Sequence, residues 1–285
     1  MILVIGATGK VGRQVVGALK ARGAAFRVTS RDPLKAAQTL GAGTAIVEAD
    51  YTRPETLKPA LAGVNRLFLL CGPNQHKAEL EIAMVDAAKA AGVRHIVKLS
   101  VYGADERSSA TVMRDHRRIE RHIEALGLAW THLRPNLFMQ HFLSHAGAIK
   151  AEGVIHAPLE RARVSVVDTR DIGAVAAAAL TEKGHEGRAY ELTGPAAPSY
   201  DEIAASFSTQ LGRPIRYDNI SAEAAHQRMR AAGSAEWHAE VLGEIFAFFR
   251  AGEGARISDA IERVTKQRAR SMEDFIRDHL AQFRA

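Results

Sequence analysis

The sequence predicts an α/β fold: a doubly wound parallel sheet with a smaller, mostly helical C-terminal lobe. Three observations predict it. Short apolar runs alternate with segments of helical periodicity through the first half of the chain. The first run leads directly into a glycine turn, Gly6-x-x-Gly9-x-x-Gly12. From Tyr200 onward the alternation gives way to helical stretches broken by glycines. The 285 residues, 47% of them hydrophobic, suffice for a full core.

The elements follow in order. Residues 2–5 form an apolar strand. Val11, Val15, Val16 and Leu19 recur at helical spacing and stop near Gly23. Residues 26–29 are the second strand. Asp32-Pro33 opens a helix that ends around Gly41, and residues 45–47 are the third strand. Pro54 and the segment 57–61 give a short helix closed by Gly63. Residues 66–70 are the fourth strand, ended by Gly72-Pro73. Leu80, Met84, Ala87 and Ala91 stripe the next helix, which stops at Gly92, and residues 95–99 are the fifth strand. A helix over 111–126 and a sixth strand at 130–133 follow. Residues 164–167 are a candidate seventh strand, 172–180 a helix, and 189–192 another short apolar run. The expected domains are residues 1–150, with 164–182 returning to them, and a smaller lobe at 183–285.

Right-handed crossovers place the C-terminal ends of parallel strands on one sheet edge, where such folds bind ligands. Those ends are Gly6, Ser30, Asp50, Cys71 and Ser100. At the first, Gly6 permits the sharp turn, Gly9 lets backbone approach a phosphate, and Gly12 lets the helix pack closely. Thr8, Lys10 and Val11 complete this turn, which matches a Rossmann-type site for a dinucleotide pyrophosphate at a helix N-terminus. At the second, Ser30 and Arg31 stand where an NAD site usually has an acid. Arg31 suits a 2′-phosphate, and Lys35 adds charge one turn on, so the expected cofactor is NADP(H). Asp50 and Tyr51 are placed for the adenine, and Cys71, Gly72 and Pro73 for the middle of the cofactor. The Cys71 thiol itself is expected to be a small buried hydrophobe.

In the 111–126 helix, Val112, His116, Ile119, Ile123 and Leu126 share one stripe. Arg114, Arg117, Arg118 and Arg121 lie opposite, as a solvated face or a subunit contact. His116 therefore looks inward, where a histidine can bond ribose or substrate oxygen and can titrate near neutrality. His141 and His145 are spaced as a metal pair is, but no accompanying ligand motif is present and no metal site is assigned.

Composition excludes some classes. The net charge is +6, yet no block of like charges suits nucleic acid. The single cysteine forbids an intrachain disulfide and fits a reducing, cytoplasmic setting. No apolar stretch has the length of a membrane span or a secretion signal.

Together these residues resemble the NmrA-like branch of the atypical short-chain dehydrogenase/reductases. The resemblance rests on Gly6 to Gly12, Ser30-Arg31-Asp32-Pro33, Glu48-Ala49-Asp50-Tyr51, the stretch from Gly127 to Pro135, Val167 to Ile172, and Tyr190 to Gly194. It implies an NADP(H)-binding Rossmann domain with a small C-terminal lobe, in a family that includes quinone, triarylmethane-dye and flavin-free azo reductases. Alignment on Glu120 puts Val112 at the usual tyrosine of the Tyr-x-x-x-Lys pair and His116 at the lysine, so the usual tyrosine acid is absent. The implied activity is hydride transfer from NADPH to a small electron-poor aromatic such as a quinone or azo compound. His116 is then the catalytic or cofactor-orienting group. Pro135 and Asn136 flank the nicotinamide, and Leu137, Phe138, Met139 and Phe142 face the substrate. Some relatives instead sense NADP(H) without catalysis, and the missing tyrosine keeps that alternative open. A monomer or homodimer is expected.

Overall fold

The computed structural model of the protein describes residues 1–284. Its strands are β1 (Ile2–Val4), β2 (Phe26–Ser30), β3 (Ala45–Glu48), β4 (Arg66–Leu69), β5 (His95–Leu99), β6 (Ala129–Pro135), β7 (Val154–Ala157), β8 (Arg188–Leu192) and β9 (Arg216–Asn219). The helices of the first half are α1 (Lys10–Ala21), α2 (Pro33–Leu40), α3 (Leu57–Leu61), α4 (Lys77–Ala90) and α5 (Thr111–Ala125). They are followed by α6 (Ala146–Glu152), α7 (Thr169–Thr181), α8 (Tyr200–Leu211), α9 (Ala222–Ala231) and α10 (Glu236–Arg250). The last three are α11 (Ala260–Thr265), α12 (Met272–Asp278) and α13 (Leu280–Phe283).

The chain divides into two compact units. The first comprises Met1–Glu106, Arg114–Pro135 and Thr169–Glu191; the second comprises Arg107–Met113, Asn136–Asp168 and Leu192–Ala285. Their division is interleaved and differs from the one expected: residues 136–150 belong to the second unit and 183–191 to the first. The strand β6 ends at Pro135, and there the chain changes unit.

The sheet of the first unit has the order β3-β2-β1-β4-β5-β6-β8. The pairs β1/β2, β1/β4, β2/β3, β4/β5 and β5/β6 are all parallel. The order reverses at β1, so the turn after β1 stands at the topological switch point, where open α/β sheets bind ligands. Helices α3, α4 and α5 cover one face, with Leu61, Met84, Val85, Ile119 and Ile123 packed on Leu3, Leu67, Leu69 and Ile96. Helices α1 and α7 pack against each other, and both contact strands of the sheet. Their approach depends on Gly173, where a Cβ would fall 2.6 Å from the Cβ of Gln14.

The run 164–167 is not a strand of this sheet. Val164, Val166 and Val167 are buried, but their backbone groups bond loop segments: Val164 N–H donates to Pro198, Val167 N–H to Leu137, and Val166 accepts from Gly194. Burial by loops leaves the same apolar signature as burial in a ladder. The two strands β7 and β9, absent from the expected elements, form a separate parallel pair in the second unit. They are short, and Arg216, Asp218 and Asn219 make β9 polar. No helix among the described residues is long and apolar enough to cross a membrane.

Candidate functional site

The glycine turn is built by steric necessity at two positions and left open at the third. Gly6 has φ +74, and a Cβ there would lie 2.6 Å from the Leu70 carbonyl oxygen. At Gly12 a Cβ would lie 2.0 Å from the Gly6 carbonyl oxygen and 2.7 Å from Ala7 Cα. The close packing expected of Gly12 is thus against the turn's own backbone, not the sheet. Gly9 differs: its Cβ would meet only the Gly6 oxygen, at 3.4 Å, an ordinary contact. Gly9 is also the extended N-cap of α1, with no side-chain cap and no acid in the first turn. The first N–H groups of a helix lack intrahelical acceptors, so this end of α1 presents free donors and the positive pole of the helix. Thr8 and Lys10 are exposed around it; Val11 is buried, so only its backbone belongs to this surface.

At the end of β2, Asp32 is occupied as the N-cap of α2, its Oδ1 accepting the Lys35 N–H at 3.0 Å. Ser30 Oγ accepts the Asp32 N–H at 3.1 Å. This leaves Arg31 exposed, and Lys35 exposed in the first turn of α2. The Arg31 charge acts on both Asp50 and Tyr51, which brings these sequence-expected residues together. Burial opposes the Asp50 charge, but hydrogen bonds from the Thr52 N–H and hydroxyl, with Arg31 and Arg53, hold it below its ordinary value. Burial first, then Cys71, pushes Tyr51 up.

Cys71, two residues past β4, is an inert group. Burial, reinforced by Glu81, pushes its thiol up to about 12. Its peptide is held at both ends, the N–H by Glu81 Oε1 at 3.3 Å and the carbonyl oxygen by Lys77 Nζ at 2.8 Å. Gly72 and Pro73 follow on the surface. Glu81 also accepts from Lys77 at 2.6 Å and pairs with Lys98, and both Glu81 and Lys98 are fully buried. Sequence reasoning missed this cluster. Its signal was two opposite charges, each set inside an otherwise buried stretch, Lys98 in β5 and Glu81 on the inward side of α4.

Helix α5 places His116 as expected, inward and 6% exposed. Its Nδ1 is buried with no hydrogen-bond partner among the described residues. The titration near neutrality that an inward histidine allows is overturned. Burial, and then the charges of Lys98 and Lys77, hold the ring well below the ordinary histidine value, so it is neutral at physiological pH. One turn on, buried Glu120 anchors the helix to the sheet. It accepts from Arg134 at 2.9 and 2.6 Å, from Arg117 at 3.0 Å and from the Ser100 hydroxyl at 2.6 Å. The Ser100 proton is thereby committed to Glu120. The arginine face is matched by carboxylates: Arg117 also bonds Glu124, Arg118 pairs with Glu79 and Arg121 with Glu106.

In the second unit, Asn136 is committed internally. Its amide donates to Ser165 Oγ at 2.8 Å and the Gly254 carbonyl at 3.0 Å, and its Oδ1 accepts the Leu137 N–H. Leu137 and Phe138 are half-buried, with Phe138 stacked on His141 at 5.7 Å. Met139 and Phe142, expected to face substrate, are corrected: each is 1% exposed. Phe142 packs against Tyr200 and Phe207 at 5.5 and 6.1 Å, and Met139 lies under Gly194. Apolar side chains after a strand serve the core as readily as a ligand, and here the core takes them. Pro135 closes β6, its carbonyl accepting the Tyr102 N–H at 2.9 Å. His141 and His145 share no cluster with other metal-ligating side chains among the described residues; those close enough to share an ion are Glu120, Glu124 and His132. Arg117 and Arg134 already occupy the Glu120 carboxylate, which disfavours a cation there.

The chain is similar over nearly its whole length to known proteins. An NAD(P)H azoreductase of Xenophilus azovorans is 37% identical over 285 residues, all of both chains. The (4-alkanoyl-5-oxo-2,5-dihydrofuran-3-yl)methyl phosphate reductase of Streptomyces griseus subsp. griseus is 37% identical over 284 residues, 99% of each. The crystal structure of an NADPH-dependent quinone oxidoreductase from Escherichia coli, complexed with NADPH, matches with a TM-score of 0.89 at 26% identity, over 99% of this chain and 100% of the other. The NmrA-like family model matches residues 1–276, and the chain belongs to the NmrA-like family.

Proposed function

We propose that this chain transfers a hydride from NADPH directly to a small electron-poor aromatic acceptor, such as a quinone or an azo compound. That it is an NADPH-dependent reductase rests on its family and on relatives named as NAD(P)H azoreductase and NADPH-dependent quinone oxidoreductase. The single observation that supports the site is His116: a buried neutral ring with one nitrogen unpartnered, on the helix that follows β5. A buried imidazole nitrogen without a partner is costly, and a ligand hydroxyl satisfies it.

The residues present fit a dinucleotide. The uncapped start of α1, with Gly9 open above it, would hold the pyrophosphate. Arg31, with Lys35, would meet the 2′-phosphate, Ser30 would lie beside them, and Asp50 and Tyr51 would border the adenine. The peptides of Cys71, Gly72 and Pro73, and Ser100, would line the middle of the cofactor. When bound, NADPH supplies the hydride from nicotinamide C4 and leaves as NADP⁺. His116 would orient the ribose as a neutral ring, one nitrogen donating and the other accepting, and the proton that completes reduction of the acceptor would come from water. Val112 at the usual tyrosine position agrees with chemistry that draws its rate mainly from placement. The first unit is the cofactor domain in this reading; Pro135 and Asn136 are carried forward as the nicotinamide-side residues and Leu137 and Phe138 as substrate-side residues, with Asn136 holding the Leu137 N–H.

The test is NADPH oxidation by the purified chain across a panel of quinones and azo compounds. Turnover with at least one acceptor is expected, and His116→Ala should lower kcat/KM by about 100-fold or more. Wild-type turnover in His116→Ala refutes the histidine's role. A chain that binds NADPH but reduces nothing on a broad panel is a cofactor sensor instead.

A further inference from the structure

The buried cluster under the strand ends holds two ammonium groups for one carboxylate. Lys98 is fully buried on β5 and pairs with Glu81; its Nζ also donates to the Leu99 carbonyl at 3.2 Å. Lys77, its side chain 12% exposed at the start of α4, reaches the other Glu81 oxygen at 2.6 Å and the Cys71 carbonyl. Buried ion pairs are rarely kept for stability alone, since apolar replacements of similar shape often do as well. An unbalanced buried charge demands more explanation than a balanced pair.

We propose that Lys98, held by Glu81 beside Lys77, is a charge-selecting residue of the reductase: the excess positive charge at the ends of β4 and β5 favours neutral or anionic acceptors over cationic ones. The inference rests on the reductase reading above. The cluster's lysines are committed to Glu81 and to backbone carbonyls, so it acts through its field. Burial keeps that field from being screened, because a charge under protein acts at a far lower effective dielectric than one in water. The cluster stands on the sheet edge that carries the glycine turn: Lys98 is one residue from the C-terminal end of β5, Lys77 bonds the Cys71 carbonyl just past β4, and β4 lies between β5 and β1 in the parallel sheet. The charges of Lys98 and Lys77 also push the His116 ring down. The charged groups that act on that ring are Lys98 on β5 and Lys77 on α4; Glu120 lies one turn along its own helix. Glu120 is already neutralised by Arg134 and Arg117, which leaves the lysine excess as the dominant charge.

The experiment is Lys98→Met in the full chain, assayed with NADPH and three acceptors: a neutral quinone, a sulfonated anionic azo compound and a cationic triarylmethane dye. The substitution leaves Glu81 paired with Lys77, so the cluster becomes neutral without stranding a carboxylate. Lys77→Met removes the same charge at a partly exposed position and serves if Lys98→Met fails to fold. The kcat/KM ratio of anionic to cationic acceptor should fall about 100-fold, because removing one unit charge about 10 Å away shifts each singly charged acceptor on the order of tenfold, in opposite directions. In parallel, NMR titration of the His116 ring should move its protonation to higher pH in either variant, a readout that needs no turnover. An unchanged ratio in active variants, or an unmoved ring, overturns the proposal. A wild-type chain that reduces none of the three overturns the reductase reading instead, and the ring titration still reports whether the cluster's field reaches His116.

Discussion

At the residue scale, three glycines of one motif do different work. Gly6 and Gly12 are demanded by the protein's own atoms, while Gly9 is demanded by nothing inside it. Substitution should separate them. Gly12→Ala drives a Cβ into the Gly6 carbonyl and should cost about 2–3 kcal/mol of stability. Gly9→Ala should cost only about 1 kcal/mol, as a poorer N-cap, yet weaken NADPH binding about tenfold or more, because the phosphate needs the space. A fluorescence titration with NADPH, beside a thermal melt, measures both. Normal NADPH affinity in Gly9→Ala would place the pyrophosphate elsewhere. Asp32 teaches the complementary lesson. It is an acid in the right neighbourhood for a ribose, but its carboxylate caps α2, and Arg31 stands exposed beside it.

At the element scale, α5 is the part on which the proposed chemistry depends. Its apolar stripe was visible as a periodicity, and His116 lies on it as expected. What holds the helix in place was not visible. Glu120 takes two hydrogen bonds from Arg134 on β6 and one from Ser100 after β5. Those partners are brought together only by the crossover. Glu120→Gln leaves Arg134 with a neutral partner and should destabilise the first unit by about 3 kcal/mol. Arg118→Ala, which breaks only the exposed pair with Glu79, should cost less than about 0.5 kcal/mol. Denaturant melts of the two variants compare them directly, and equal losses would mean that the buried network does not anchor the helix. The N-terminus of α5 has an anchor of its own. Glu244 of α10 accepts the Thr111 N–H at 2.6 Å and the hydroxyl at 3.0 Å, a cap supplied from far along the chain.

At the scale of the whole molecule, buried neutral histidines set the response to acid. Burial, foremost, holds His95 and His132 down to about 4, and His116 well below its ordinary value. Unfolded, each ring takes a proton near pH 6.5; folded, it refuses one until far lower. The unfolded chain therefore binds more protons across this window. Stability is full above about pH 6.5 and falls as pH drops towards 4, each ring contributing up to about 1.4 kcal/mol per pH unit. Glu81 and Glu120 act in the same direction lower down. Burial opposes their charge, but Lys98 for Glu81 and Arg134 for Glu120 outweigh it, and the stability they add is lost as pH falls below about 4.5. Melting temperatures from pH 7.5 to 4.5 should decline steadily below 6.5. A flat profile there would mean that these rings are not buried as neutral groups.

The sequence by itself determined the parallel sheet, the switch-point turn, the strand ends and the inward face of α5. Each is a local pattern, written in residues close together along the chain. It also held enough resemblance to place the chain in its family. Only the tertiary structure decided which apolar residues after β6 belong to the core, where Met139 and Phe142 went, and why 164–167 is buried without being a strand. It alone assembled Lys77, Glu81 and Lys98, and it buried the His116 ring, which burial first and then the two lysines keep neutral. The physical reason is common to all of these. Periodicity reports that a side chain is buried, but its charge state and its partners depend on what the fold brings beside it.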